Sequence, residues 1–139
     1  MIAFDTDVLT GILVGRVDFV ERASKIAAAQ QSVPIVVVEE IIRGRLNVIR
    51  QAEAGKSKIG LERAYELFEE TVKDLRQVQV LSYTAQADQS FRKWRQQRIR
   101  VSTHDLRIAA ICMAHGAKLI SGNRRDFELV PGLEVEFWD

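Results

Sequence analysis

Ile2-Ala3-Phe4-Asp5-Thr6-Asp7-Val8-Leu9 is the stretch on which the reading of this chain turns. Three apolar residues run into a carboxylate, a hydroxyl and a second carboxylate, and an apolar pattern at helical spacing follows. The stretch reads as a short buried strand ending at Asp5, with Thr6 or Asp7 capping the next helix. In open α/β sheets, ligands lie just beyond the carboxyl ends of the strands. Asp5 is therefore a candidate site residue. The plainer reading is that Asp5 and Asp7 only serve a helix end and its dipole. The two readings part on whether more carboxylates stand at equivalent places further along.

Working outward, residues 7–15 read as a short helix closed near Gly15. A second helix is expected over about 17–30, with Val17, Val20 and Ile26 buried. Val33-Pro34-Ile35-Val36-Val37-Val38 is a β-branched run and predicts a second strand, buried on both faces, with its proline at the start. Glu39-Glu40 then open a helix whose stripe is Val38, Ile41, Ile42, Leu46 and Ile49. Ala54-Gly55-Lys56-Ser57 stops it, and a helix over about 58–76 follows with Leu61, Tyr65, Phe68, Val72 and Leu75 in line. The short connection predicts an antiparallel pair. Val78–Leu81 reads as a short strand and 84–97 as a helix. Ser102-Thr103-His104-Asp105 starts another, with Leu106, Ala109, Ala110 and Met113 on one face and Gly116 closing it. Lys118-Leu119-Ile120 is a third clear strand, and Leu133–Phe137 a last one. This alternation predicts an α/β fold, a parallel sheet with helices on both faces.

Composition narrows the function. The chain has 139 residues, 47% of them apolar and 28% charged, with a formal net charge of +1. That is the balance of a globular domain rather than a polycation, so any hold on nucleic acid has to come from local patches. One cysteine, Cys112, excludes an internal disulfide framework and a cysteine zinc cage. No apolar run reaches the ~18 residues of a membrane span. The start lacks a basic, apolar leader, and the expected location is the cytoplasm.

Four acids occupy comparable places. Asp5 ends the first strand, Glu40 follows the second, Asp105 opens the helix before the third, and Asp126 lies just beyond the third. Each one alone also reads as a cap or turn residue. In a parallel sheet, however, these places converge on one end. A like-charged pair about 4 Å apart repels by about 4 kcal/mol at an effective dielectric of roughly 20. Domain stability is only about 5–15 kcal/mol, so such a cluster has to take up protons or a cation. An all-oxygen donor set selects Mg²⁺ or Mn²⁺ over zinc, and those ions suit phosphoryl chemistry.

The ordered motifs Asp5-Thr6-Asp7-Val8-Leu9, Glu40-x-x-x-Gly44, Asp105-Leu106-Arg107-Ile108-Ala109-Ala110 and Ser121-x-Asn123-Arg124-Arg125-Asp126-Phe127 resemble the signature of PIN-domain nucleases. Within that family, the VapC toxins of type II toxin–antitoxin systems look most similar. The resemblance runs from end to end, through Val130-Pro131-Gly132-Leu133 and Trp138. It implies one PIN-like domain over 1–139: a three-layer α/β/α fold around a mostly parallel sheet of roughly four or five strands. It implies an endoribonuclease dependent on Mg²⁺ or Mn²⁺. Asp5, Glu40, Asp105 and Asp126 would be its catalytic, metal-holding quartet, with Thr6, Ser121 and Asn123 as supporting polar residues. It also implies a cognate antitoxin and a homodimer. Two departures stand out. Asp7 occupies a place where the family usually has Asn, which leaves open whether it joins the metal. Ser121-Gly122 replaces a common Thr and Arg.

RNA contacts are expected from Arg107, Arg124 and Arg125, near the acids, and from Arg95 in the basic run Arg92–Arg100, where Trp94 is available for stacking but reads more readily as core or interface. The bland reading of that run is a solvated helix face whose long side chains cover the core. His104 adjoins Asp105 and could touch a metal, but its plainer reading is a surface residue at a helix start; Cys112 reads as inert packing. Two rivals remain. A non-catalytic PIN-like module would bind RNA or a partner without cutting. A phosphatase of the haloacid-dehalogenase kind would use Asp5-Thr6-Asp7 and a strand-end lysine, but Lys118 precedes its strand.

Overall fold

The computed structural model describes all 139 residues. β1 is Ile2–Phe4, and α1 (Thr6–Leu13) begins two residues later. Asp5 itself, not Thr6 or Asp7, caps α1. Its backbone is extended and its Oδ1 accepts the N–H of Val8 at 2.9 Å. The strand's last carboxylate thereby satisfies an orphan helix donor. Gly15, at φ +82°, turns the chain out of α1.

α2 (Val17–Ser24) is shorter than the periodicity predicts; a single 3₁₀ turn at Ala28–Gln30 takes its place further on. Val17 and Val20 are exposed at 79% and 41%, while Phe19 and Ala23 are buried. Phe19 wins the inward position because its ring packs against Trp138, at 5.7 Å between centroids, and lies across Gly11. A Cβ at residue 11 would stand 2.5 Å from Phe19 Cδ2, so only glycine lets the two helices close.

The largest departure from expectation lies next. β2 is Gln31–Pro34, and residues 35–38 are not strand but the opening of α3 (Ile35–Glu53). Val36 and Val37 are buried all the same. A short apolar run carries no periodicity that tells a strand from a buried first turn, and here packing chose the turn. The consequence is functional: Glu40 is displaced from the strand end to the second turn of α3.

α4 (Leu61–Leu75) packs against α3 through a short connection, with Arg45 Nε donating to Thr71 Oγ1 at 2.9 Å. Its inward residues are Ala64 and Thr71, whereas Leu61, Tyr65 and Val72 are exposed. The small residues let the helices approach, and the larger ones are left outside. β3 (Val80–Leu81), α5 (Ala85–Gln96), α6 (Thr103–His115), β4 (Lys118–Ser121), α7 (Arg124–Phe127) and β5 (Val135–Phe137) complete the chain. β5 is thus shorter than expected. Trp94 is buried in the core, the stronger of its two expected places, and Met113, expected inside, is 39% exposed.

All strand pairs are parallel, in the order β3-β2-β1-β4-β5. The chain steps from β1 to β2 to β3 in one direction, then crosses back to β4 on the other side of β1. Right-handed crossovers therefore put α1–α4 on one face and α5–α7 on the other. The register agrees. Ile2, Phe4, Lys118, Ile120 and Glu136 share one face, where Phe4 meets Trp138. Ala3 and Leu119 share the other, beneath α6, whose Leu106 and Ile108–Cys112 are buried. The reversal between β1 and β4 is the switch point at which α/β sheets open a crevice. Asp5 stands on its lip.

Candidate active site

Asp5 follows β1 and is 5% exposed. Its register partner at the end of β4 is Ser121, wholly buried, whose hydroxyl donates a short hydrogen bond to Asp5 Oδ2. Ser121 Oγ in turn accepts the N–H of Asn123 at 2.9 Å. Burial is the main force on the Asp5 carboxyl and lifts it from 3.8 to about 6. Asp7 and Asp105 push the same way, while Ser121 and the Val8 N–H pull against them.

Asp105 lies in the first turn of α6, whose start is fixed by Ser102 Oγ accepting the Asp105 N–H at 3.3 Å. Its carboxyl is also held above the usual range, first by desolvation and then by repulsion from Glu40 and Asp126. Asn123 caps α7 by accepting the Asp126 N–H at 3.3 Å. Its Nδ2 reaches Asp105 Oδ2 at 3.1 Å and Asp126 Oδ2 at 3.0 Å, so one amide bridges two carboxylates. Thr6 Oγ1 donates to Glu40 Oε1 at 2.8 Å.

The four acids thus form one neighbourhood, tied together by Thr6, Ser121 and Asn123. None of them has an arginine or lysine partner. The only basic side chain in reach is His104, whose Nδ1 is 3.9 Å from Glu40 Oε2 and whose Nε2 is 3.5 Å from Glu39 Oε1. Nothing in the sequence singles out that bracket, because it joins α3 to α6. No three acids stand close enough to make a finished coordination cage. The donor chemistry, carboxylate oxygens plus hydroxyls and one amide, fits a hard divalent ion.

The arginines divide. Arg95 is spent on structure: its guanidinium bonds Val101 O at 3.0 Å and Thr103 Oγ1 at 2.8 Å, bracing the loop before α6. Arg107 lies over the Phe91 ring at 4.8 Å, with its Nε buried and unbonded. Arg124 is held by Asp139 at 2.8 Å and by Glu128 at 3.4 Å. Arg125 is exposed and makes no ion pair. Cys112 is fully buried and its thiol is pushed up to about 12, which makes it inert. Lys118 pairs with Glu136 at 3.2 Å and starts β4, away from the strand end a phosphatase lysine would need.

Asn123→Ala is expected to remove both the cap and the bridge. The cap alone costs about 1 kcal/mol. Loss of the bridge leaves Asp105 and Asp126 repelling without relief, so the protonation midpoint of Asp105, followed by carboxyl NMR titration, should rise. An unmoved midpoint would show that the amide does not screen the pair.

The fold and site define an α/β protein with an acid-lined cleft at its topological switch point. Residues 2–133 match the PIN domain, and the chain belongs to that family. Among curated proteins it is similar to Ribonuclease VapC1 of Rickettsia felis, 49% identical over 39 residues. That match spans 28% of this chain and only 29% of the relative. Its fold is shared by VapBC2 from Rickettsia felis, solved with a DNA fragment from the promoter (TM-score 0.74, 20% identity, all of both chains covered). It is also shared by DNA-bound VapBC from Salmonella typhimurium (TM-score 0.75, 20% identity, all of both chains covered).

Proposed function

We infer that this protein is a divalent-metal-dependent endoribonuclease and the toxin of a toxin–antitoxin pair, acting as one PIN domain over residues 1–139 in the cytoplasm. The observation that carries the reading is the cluster of Asp5, Glu40, Asp105 and Asp126 at the switch point, with no lysine or arginine to neutralise it. Membership of the PIN family and the likeness to Ribonuclease VapC1 support it.

In this reading the four carboxylates hold Mg²⁺ or Mn²⁺, and Asp7, exposed beside Asp5, is available to join them. When bound, the ion supplies an activated water and charge neutralisation at the phosphate. The chain's own residues do the positioning. Ser121 and the Val8 N–H fix both oxygens of Asp5. Thr6 orients Glu40, and Asn123 keeps Asp105 and Asp126 from turning apart. Arg125, unpaired beside Asp126, is the best placed of the arginines to meet an RNA phosphate.

The partner surface proposed is the α1–α3–α4 face. A cavity of about 210 Å³ there is lined by Leu13, Val14, Ile41 and Leu67 with a polar rim that includes Arg45, Glu70 and Asp74, and Leu46 of α3 and Leu61, Tyr65 and Val72 of α4 are exposed. An antitoxin segment with an apolar helical face fits that surface, and a homodimer is proposed as the assembled form. No helix is long and apolar enough to cross a membrane.

The test is cleavage of labelled RNA by the purified protein in Mg²⁺ or Mn²⁺. RNA should be cut internally, and aryl phosphates left intact. Turnover of aryl phosphate without RNA cleavage would instead favour a phosphatase, and tight RNA binding without cleavage a non-catalytic module.

A further inference from the structure

Gly44 stands inside α3, one turn beyond the cleft acid Glu40. A glycine in a helix interior weakens the helix. Neither usual reason for one applies here. The backbone at Gly44 is not left-handed, and a Cβ there would meet no atom of the chain within 4 Å. The space above it is open to something outside the chain.

That space is a cavity of about 300 Å³ between α1 and α3. Thr6 and Thr10 line it from α1, one helical turn apart. Glu40, Ile41, Gly44 and Arg45 line it from α3, at the spacing of one helix face. Ile41 is the one apolar residue among them, so an apolar helix would bury little here. The Thr6 hydroxyl is taken by Glu40, whereas Thr10 is exposed and its hydroxyl makes no bond to the chain.

Arg45 is the cation of this cavity. Its Nε donates to Thr71 Oγ1 at 2.9 Å, and Thr71, on α4, is buried. The guanidinium is thus fixed from behind, and its two terminal nitrogens make no hydrogen bond or ion pair. Glu70 and Asp74 lie beyond Arg45 in the neighbouring cavity, but Glu70 pairs with Arg63 and neither acid reaches Arg45. Glu40 faces the same cavity without pairing with Arg45, which follows it by about 7.5 Å along the helix axis. A guanidinium held in place with free nitrogens, beside a free hydroxyl, suits a phosphate. We propose that the groove between α1 and α3 binds the RNA phosphate next to the one at the acidic cleft, with Arg45 and Thr10 as its donors and Gly44 as the opening that admits the strand. This rests on the nuclease reading.

The test follows RNA cleavage in Mg²⁺ or Mn²⁺ over a series of salt concentrations, for the unmodified protein, Arg45→Gln, Arg45→Lys and Gly44→Leu. Arg45→Gln should raise KM about tenfold with a much smaller change in kcat. Its log KM should also climb less steeply with log salt, by about 0.7, the share of one phosphate on a single strand. Arg45→Lys keeps the charge and should restore that slope, which loss of the Thr71 bond alone would not alter. Gly44→Leu puts its side chain into open space, so it should melt no lower than the unmodified protein and yet raise KM. If the unmodified protein cuts no RNA, the nuclease reading fails. The same comparisons are then made on the Kd of fluorescein-labelled RNA by anisotropy, and they decide the groove by themselves. An unchanged salt slope in Arg45→Gln would leave that residue to the partner surface it borders and overturn the proposal. So would an unchanged KM (or Kd, where RNA is not cut) in Gly44→Leu, or RNA that is neither cut nor bound.

Discussion

Asp5→Asn should abolish RNA cleavage and, in the same protein at pH 8 and without divalent ions, raise the melting temperature. Both effects come from one buried charge. The Asp5 carboxyl is 5% exposed and holds its proton to about pH 6 in the fold, against 3.8 when free. A carboxyl raised in this way favours the fold below pH 3.8, and that contribution is lost as pH rises through about 6. Above that range the ionised group weighs against folding by about 3 kcal/mol. Asn cannot ionise, yet its carbonyl can still accept the Val8 N–H. The variant should therefore gain on the order of 10 °C in Tm at pH 8 and lose most of the slope between pH 4 and 7. Cleavage should fall by at least about 100-fold, because the one buried anion of the set that would hold the metal is lost. Calorimetry across pH, with an RNA cleavage assay on the same samples, checks both. A variant that cuts RNA at the unmodified rate, or that melts with the same pH profile, would remove Asp5 from the role given to it.

The second large effect expected is that of the ion itself. Mg²⁺ or Mn²⁺ at about 100 times its Kd should stabilise the unmodified protein by about 2.7 kcal/mol. The gain should be greater at pH 8 than at pH 5, since a proton on Asp5 or Asp105 competes with the metal. EDTA should reverse the stabilisation and stop cleavage together. Asp5→Asn should show little of the shift, which separates site binding from a general salt effect on a surface of mixed charge. Thermal shift and cleavage measured over one EDTA–metal series are sufficient. Cleavage that persists in EDTA would refute the metal assignment whatever the melting curves do.

How much of this was legible beforehand follows from which interactions are local. The strand that ends at Asp5, the Ser102 cap, the Gly116 stop and the alternation of strands with helices are encoded in windows of a few residues. There, capping and apolar spacing act over one turn, and parallel connectivity follows from the alternation. The places of Asp5, Asp105 and Asp126 at element ends were readable for the same reason, but that of Glu40 was not.

Other features were decided only by the tertiary structure. Residues 35–38 satisfy a strand and a helix equally as a pattern, and the packing of Val36 and Val37 made them helix, which moved Glu40. Phe19 displaced Val17 and Val20 from the core because Gly11 and Trp138 leave room for one ring. The Ser121–Asp5 bond and the His104 bracket on Glu39 and Glu40 join residues from separate elements. Sequence alone determined which chemistry each element's end carries. Sheet register and helix packing, which act between segments far apart in the chain, decided which of those ends meet.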